Sequence, residues 1–147
     1  MFDLTGRIAV VTGASAGLGR GEAIALARQG ADVAIIARRA EKLDEVAAEI
    51  RGLGRRCLPV VCDVTEPEQI ESAIGQVIAE YGKVDILVNN TGGGPSAPLE
   101  GISDEMFMYH VQLELMATFR FTRGFGKYML ERGYGRVINI ASILGLG

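Results

Sequence analysis

The 147-residue sequence is poor in cysteine and histidine, shows no cluster of positive charge, and contains no long uninterrupted apolar run. Two cysteines cannot build a disulfide scaffold. Cys57 and Cys62 lie in an extended-looking stretch at an odd separation, which turns their side chains to opposite faces, so core thiols are expected rather than a bridge or a metal pair. No apolar stretch approaches the ~20 residues that a membrane helix needs. The start, Met1 to Arg7, lacks the basic-then-apolar order of a signal peptide. With a net charge of -3 and scattered Lys and Arg, the chain carries no electrostatic footprint for nucleic acid. The expectation is a soluble cytoplasmic protein with no nucleic-acid or membrane partner and no metal.

What is present is a hydrophobic content of 48%, enough to give one domain a buried core. Apolar runs at Ile8 to Thr12, Val33 to Ala37, Cys57 to Cys62, Ile86 to Asn89 and Val137 to Ile140 read as strands. Helical patterns separate them: Leu18 to Gln29, Ala40 to Leu53, Pro67 to Tyr81 and Asp104 to Arg132. That alternation predicts βαβ units and a parallel sheet covered on both faces. Thr65 and Pro67 are positioned to start the third helix, and Ser103 to cap the fourth. The fourth has more apolar residues than one buried stripe requires, Leu115, Phe119, Phe121 and Phe125 among them. It is read either as a core helix or as one that also packs on a second subunit.

The stretch Val10 to Gly21, VVTGASAGLGRG, admits two chemical readings. Gly13 to Gly17 fits the nucleophile elbow G-x-S-x-G, with Ser15 as the attacking hydroxyl. Gly13, Gly17 and Gly19 also form G-x-x-x-G-x-G between a strand and a helix, where bare backbone amides and the helix dipole attract phosphate. A serine hydrolase needs a histidine after its acid, and His110, in a predicted helix, is the one histidine of the sequence. The cradle reading is therefore preferred, with the hydrolase kept as a remote alternative. The loop-rich stretch Asn89 to Pro98 follows the fourth strand, where an α/β sheet places its ligands.

With TGASAGLG (Thr12 to Gly19), NNTG (Asn89 to Gly92) and INIAS (Ile138 to Ser142) in this order, and Asp63-Val64 after strand three, the chain resembles the short-chain dehydrogenase/reductase family. The resemblance covers almost the whole chain and is nearest in look to 3-oxoacyl-acyl-carrier-protein reductase-like members. It implies a Rossmann-type doubly wound sheet of strand order 3-2-1-4-5 and a nicotinamide coenzyme across the carboxyl ends of the strands. Gly13, Ser15, Gly17, Leu18 and Gly19 would form the pyrophosphate turn, Asp63 and Val64 would contact the adenine, and Asn90 the adjoining ribose. The plainer reading of Asn89 and Asn90 is a turn that locks the fourth strand. Ala37 stands where an acid would bind a ribose 2′-hydroxyl, and Arg38 and Arg39 follow, so NADP(H) is expected over NAD(H) unless both arginines are merely solvated charges. Ser142 matches the family's catalytic serine.

The chain departs from the family pattern at two places. No Tyr-x-x-x-Lys pair occurs, and Glu114 stands where relatives have an Asn, with Gln112 less well placed. A carboxylate there could hold a water, but its charge raises the cost of ionising a neighbouring phenol. The expectation is an apparently truncated Rossmann domain, inactive alone, from an NADP(H)-dependent oxidoreductase acting on a small carbonyl or alcohol. The alternative is a non-catalytic dinucleotide-binding module. A homodimer or homotetramer would form through the helix 104–132.

Overall fold

A computed structural model describes residues 2–142. Five parallel strands form one sheet: β1 (Ile8–Thr12), β2 (Asp32–Ala37), β3 (Cys57–Val61), β4 (Ile86–Asn89) and β5 (Arg136–Asn139), in the spatial order β3-β2-β1-β4-β5. Between them run α1 (Gly17–Arg28), α2 (Ala40–Gly52) and α3 (Pro67–Tyr81). The last connection comprises α4 (Asp104–His110), a π-helical turn (Val111–Met116) and α5 (Ala117–Arg132). Strand order matches the sequence expectation, and so do the element types outside the segment 104–132.

The two-residue period of the strands explains why they are apolar throughout. Ala9, Val11, Val33, Ile35, Ile86 and Val88 pack beneath Ala23, Leu43, Val46 and Ile50 of α1 and α2. Their neighbours Val10, Ala34, Ile36 and Leu87 face the other way, against Ile70 and Val77 of α3 and Phe121, Phe125 and Met129 of α5. Cys57 belongs to the first layer and Cys62 to the second, as their odd separation predicts. Burial pushes both thiols up, Cys57 to about 12 and Cys62 to about 11.

Three local expectations are corrected. The segment 104–132 is not one α-helix: Thr118 Oγ1 donates to the Glu114 carbonyl at 2.7 Å, and the backbone opens into a π-turn there. β5 reads as a buried strand in sequence, yet Val137 and Ile138 are 40% and 46% exposed, because no strand among the described residues pairs with its outer edge. Thr65 does not cap α3. Its hydroxyl donates to Asp63 Oδ1 at 2.7 Å, and Glu66 is the N-cap residue, followed by Pro67. Ser103 does cap α4, accepting from the Met106 amide at 3.1 Å.

At the amino ends of the strands, the buried carboxylate of Asp85 accepts from the Ile8 amide (2.8 Å), Lys83 (3.0 Å), Arg7 (3.2 Å) and Arg132 (3.4 Å). Burial alone would raise its pKa, but the Ile8 amide and Lys83 outweigh that effect and hold the carboxyl below the usual range. This knot fixes β1, β4 and the end of α5 at the end of the sheet opposite the loops that leave β1 and β4.

Candidate functional site

The carboxyl ends of β1 and β4 lie side by side where the strand order reverses, so the loops leaving them diverge and open a crevice. Thr12, the last residue of β1, is buried, and its hydroxyl accepts from the amides of Asn90 (3.1 Å) and Thr91 (3.2 Å). Asn90 answers by donating Nδ2 to the carbonyls of Thr12 (3.2 Å) and Gly13 (3.4 Å). These bonds stitch the first turn to the loop after β4. Gly13 turns the chain at φ +65°. Gly19 sits so close to Gly13 and Asn90 that an added Cβ would stand 2.5 Å from the Gly13 carbonyl oxygen and nearer still to Asn90 Nδ2.

α1 then begins without a side-chain cap: its N-cap residue is Ala16, and no acid occurs in its first turn. The first amides of the helix and the positive pole of its dipole thus face outward unneutralised. Arg38 and Arg39 from the end of β2 border the same space, and Arg39 Nη2 donates to Ser15 Oγ at 3.3 Å. The resulting cavity of about 300 Å³ is walled by Gly13, Ser15, Arg38, Val64 and Asn90. Asp63 turns aside: its Oδ1 accepts from the amide and hydroxyl of Thr65 (3.0 and 2.7 Å). Burial would raise that carboxyl, but the Thr65 bonds and the charge of Arg38 hold it low.

A second cavity, about 320 Å³, lies on the other side of the Asn90 to Gly93 segment and is bordered by Leu18, Glu114, Thr118 and Ser142. Asn89 closes its floor, donating Nδ2 to Asn139 Oδ1 (2.9 Å) and Thr122 Oγ1 (3.1 Å), which ties β4 to β5 and α5. Of the residues singled out in sequence, Gly13, Ser15, Arg38, Val64 and Asn90 therefore gather in the first cavity, and Leu18, Glu114 and Ser142 in the second. Gly17, exposed at φ +56°, and Gly19, packed on Gly13 and Asn90, belong to the turn without lining either space. Both asparagines brace the strand ends through these bonds, and Asn90 also borders both cavities.

Among the described residues the hydrogen-bond partner of the Ser15 hydroxyl is the Arg39 guanidinium, a donor and not a base that could activate it for attack. His110 is engaged elsewhere, with Pro95 and Glu114. Sequence reasoning missed Thr12 and Thr91. The signal was available for Thr12, the lone polar residue closing the strand Ile-Ala-Val-Val-Thr.

Residues 7–147 match the family model described as short chain dehydrogenase. The chain belongs to the short-chain dehydrogenase family. It is 37% identical, over 96% of its length, to the D-threitol dehydrogenase of Mycolicibacterium smegmatis, covering 54% of that relative. With a 3-oxoacyl-acyl-carrier-protein reductase of Thermotoga maritima it shares 31% identity, over 97% of this chain and 58% of the relative. The solved structure of L-sorbose reductase from Gluconobacter frateurii, complexed with NADPH and L-sorbose, superposes with a TM-score of 0.93 at 36% identity, over 97% of this chain and 54% of that one. This short-chain dehydrogenase sequence spans about half the length of the curated relatives it matches. No helix among the described residues is long and apolar enough to cross a membrane.

Proposed function

We propose that this chain is the coenzyme-binding part of a longer, single-domain oxidoreductase that interconverts a carbonyl and an alcohol using NADP(H). The observation that carries the reading is the uncapped start of α1 beside Arg38 and Arg39, a concentration of positive potential with no acid in the helix's first turn. The residues fit a pyrophosphate-bearing ligand: side chains are absent where the backbone must come close, and Ser15 and the helix amides donate. A reduced nicotinamide supplies hydride when bound. Arg38 and Arg39 would grip a 2′-phosphate, for which Ala37 leaves no opposing charge. Val64 would pack on the adenine, and Asn90 would hold the turn in register while reaching the adjoining ribose.

In the second cavity the Ser142 hydroxyl would donate to the substrate oxygen as negative charge grows on it. Glu114, in the place of the family's amide, would orient a proton carrier beside it. The likeness to a 3-oxoacyl-acyl-carrier-protein reductase supports a 3-oxoacyl thioester as the substrate class. The likeness to a D-threitol dehydrogenase supports a polyol or its ketone as the second reading. Exposed Leu115 and Phe119, one turn apart around the π-turn, support a homodimer or homotetramer built on α4 and α5.

The test is coenzyme titration of the full-length protein by fluorescence. Arg38→Asp is expected to weaken NADPH binding far more than NADH binding, and equal losses would remove the NADP argument. Ser142→Ala should abolish turnover while leaving coenzyme affinity intact. Turnover assays with a 3-oxoacyl thioester and with polyols then decide between the substrate classes.

A further inference from the structure

His110 ends α4, and its ring lies between two acceptors. Nε2 is 2.9 Å from the Pro95 carbonyl oxygen, and Nδ1 is 3.3 Å from Glu114 Oε1. A carbonyl oxygen can only accept, an ionised carboxylate can only accept, and a neutral imidazole carries a single N–H. Both contacts are hydrogen bonds only if the pair holds one proton beyond a neutral ring and a carboxylate. The loop presses closely on this ring, since a Cβ on Gly94 would stand 2.9 Å from His110 Cε1. The Tyr109 ring packs edge-on at 5.8 Å between centroids.

We infer that His110 is a positioning residue of the proposed active site: as an imidazolium it cancels the charge of Glu114 and fastens the Gly92 to Pro95 segment over the π-turn. This inference rests on the oxidoreductase reading only in giving that segment and Glu114 a catalytic setting. The segment's first residues, Gly92 and Gly93, border both cavities, and Glu114 borders the second. Where the family resemblance expects a neutral amide, this chain thus presents a neutral pair. An alkoxide or phenolate forming nearby meets no uncovered carboxylate.

Among the described residues, the groups that face the ring are few. From the loop comes the Pro95 carbonyl, whose hydrogen bond is the largest single cause raising the imidazole pKa, and from its own helical run Glu114, which raises it through both its hydrogen bond and its charge. Tyr109 packs against it edge-on, and Gly94 closes on it from the loop. Because the folded pKa is raised, the clasp is complete below the unfolded imidazole's value and is lost as pH rises through the folded one.

The test uses the full-length protein with 13C-labelled histidine, the His110 Cε1 signal being assigned by its loss in His110→Gln. The titration midpoint is expected above the ordinary value of about 6.5, and Glu114→Gln should lower it. A midpoint at the ordinary value, unmoved by Glu114→Gln, overturns the clasp. In turnover assays, His110→Gln should lower kcat several-fold and remove the alkaline inflection that the imidazole sets, and His110→Gln/Glu114→Gln should recover part of the loss. An unchanged pH profile in His110→Gln overturns the positioning role even if the midpoint is raised. Absence of turnover in the full-length protein would instead defeat the oxidoreductase reading, and the titration would still decide the proton count.

Discussion

The same substitution, placed two residues apart in α1, should have opposite effects. Gly19→Ala introduces a methyl group 2.5 Å from the Gly13 carbonyl oxygen and closer still to Asn90 Nδ2, neither of which is the free end of a flexible chain. Gly13 is backbone in a turn, and the Asn90 amide is held by the carbonyls of Thr12 and Gly13. Relief requires the turn to shift, an overpacking cost of about 1–3 kcal/mol, and one or both Asn90 bonds to break, at about 1 kcal/mol each. The sum is about 2–5 kcal/mol of lost stability.

Gly21 is exposed, and a Cβ there would meet nothing within 4 Å. Gly21→Ala should therefore stabilise by about 0.5–1 kcal/mol, as expected for an open helical glycine. Urea denaturation of the full-length protein, with a slope near ~2 kcal/mol/M, would separate the two midpoints by roughly 1–3 M. A Gly19→Ala stability within about 0.5 kcal/mol of the parent would show that the turn is not clamped as described. NADPH titration should fail in Gly19→Ala and be unaffected in Gly21→Ala.

Asp85→Asn should cost about 2–3 kcal/mol at neutral pH, less than for a fully enclosed pair because Arg7, Lys83 and Arg132 reach solvent. Since the folded carboxyl is depressed, that contribution is present above the ordinary carboxylate value and lost as pH falls through the folded one. The stability gap between variant and parent should close in acid, and a gap constant with pH would refute the ion-pair account. Cys57 and Cys62, raised to about 12 and about 11, should resist iodoacetamide at pH ~8, where thiolate chemistry is fast for an ordinary cysteine. Peptide mass spectrometry should find them labelled only after unfolding. Leu115→Arg/Phe119→Arg should weaken subunit association roughly 30-fold or more in sedimentation analysis. An unaltered oligomer would move the interface away from α4 and α5.

The sheet was legible because its information is one-dimensional. Strands covered on both faces are apolar at every position, so runs such as Val33 to Ala37 declare themselves, and the odd spacing of Cys57 and Cys62 alone assigns them to opposite layers. The first turn was legible for a similar reason, since a backbone that turns at positive φ or packs closely on its neighbour leaves its record as missing side chains at Gly13, Gly17 and Gly19. β5 misled because apolar composition records what a strand is made to touch, not what touches it among the described residues. The break at Glu114 escaped because its cause, a Thr118 hydroxyl competing for a backbone carbonyl, leaves no trace in the apolar period.

The sequence by itself determined the position of the glycine turn and the basic pair after β2, because each depends on residue type at a spacing the local backbone fixes; the strand order came only from the resemblance to the family. Tertiary structure alone decided that Asn90 braces the turn through Thr12, that Asp85 gathers three cations, and that His110 meets both Pro95 and Glu114. Asn90 with Thr12 and Asp85 with Arg7 join residues far apart in the chain. Even for the neighbours His110 and Glu114, the helix brings the side chains near, but only the folded loop supplies the second acceptor that calls for the extra proton.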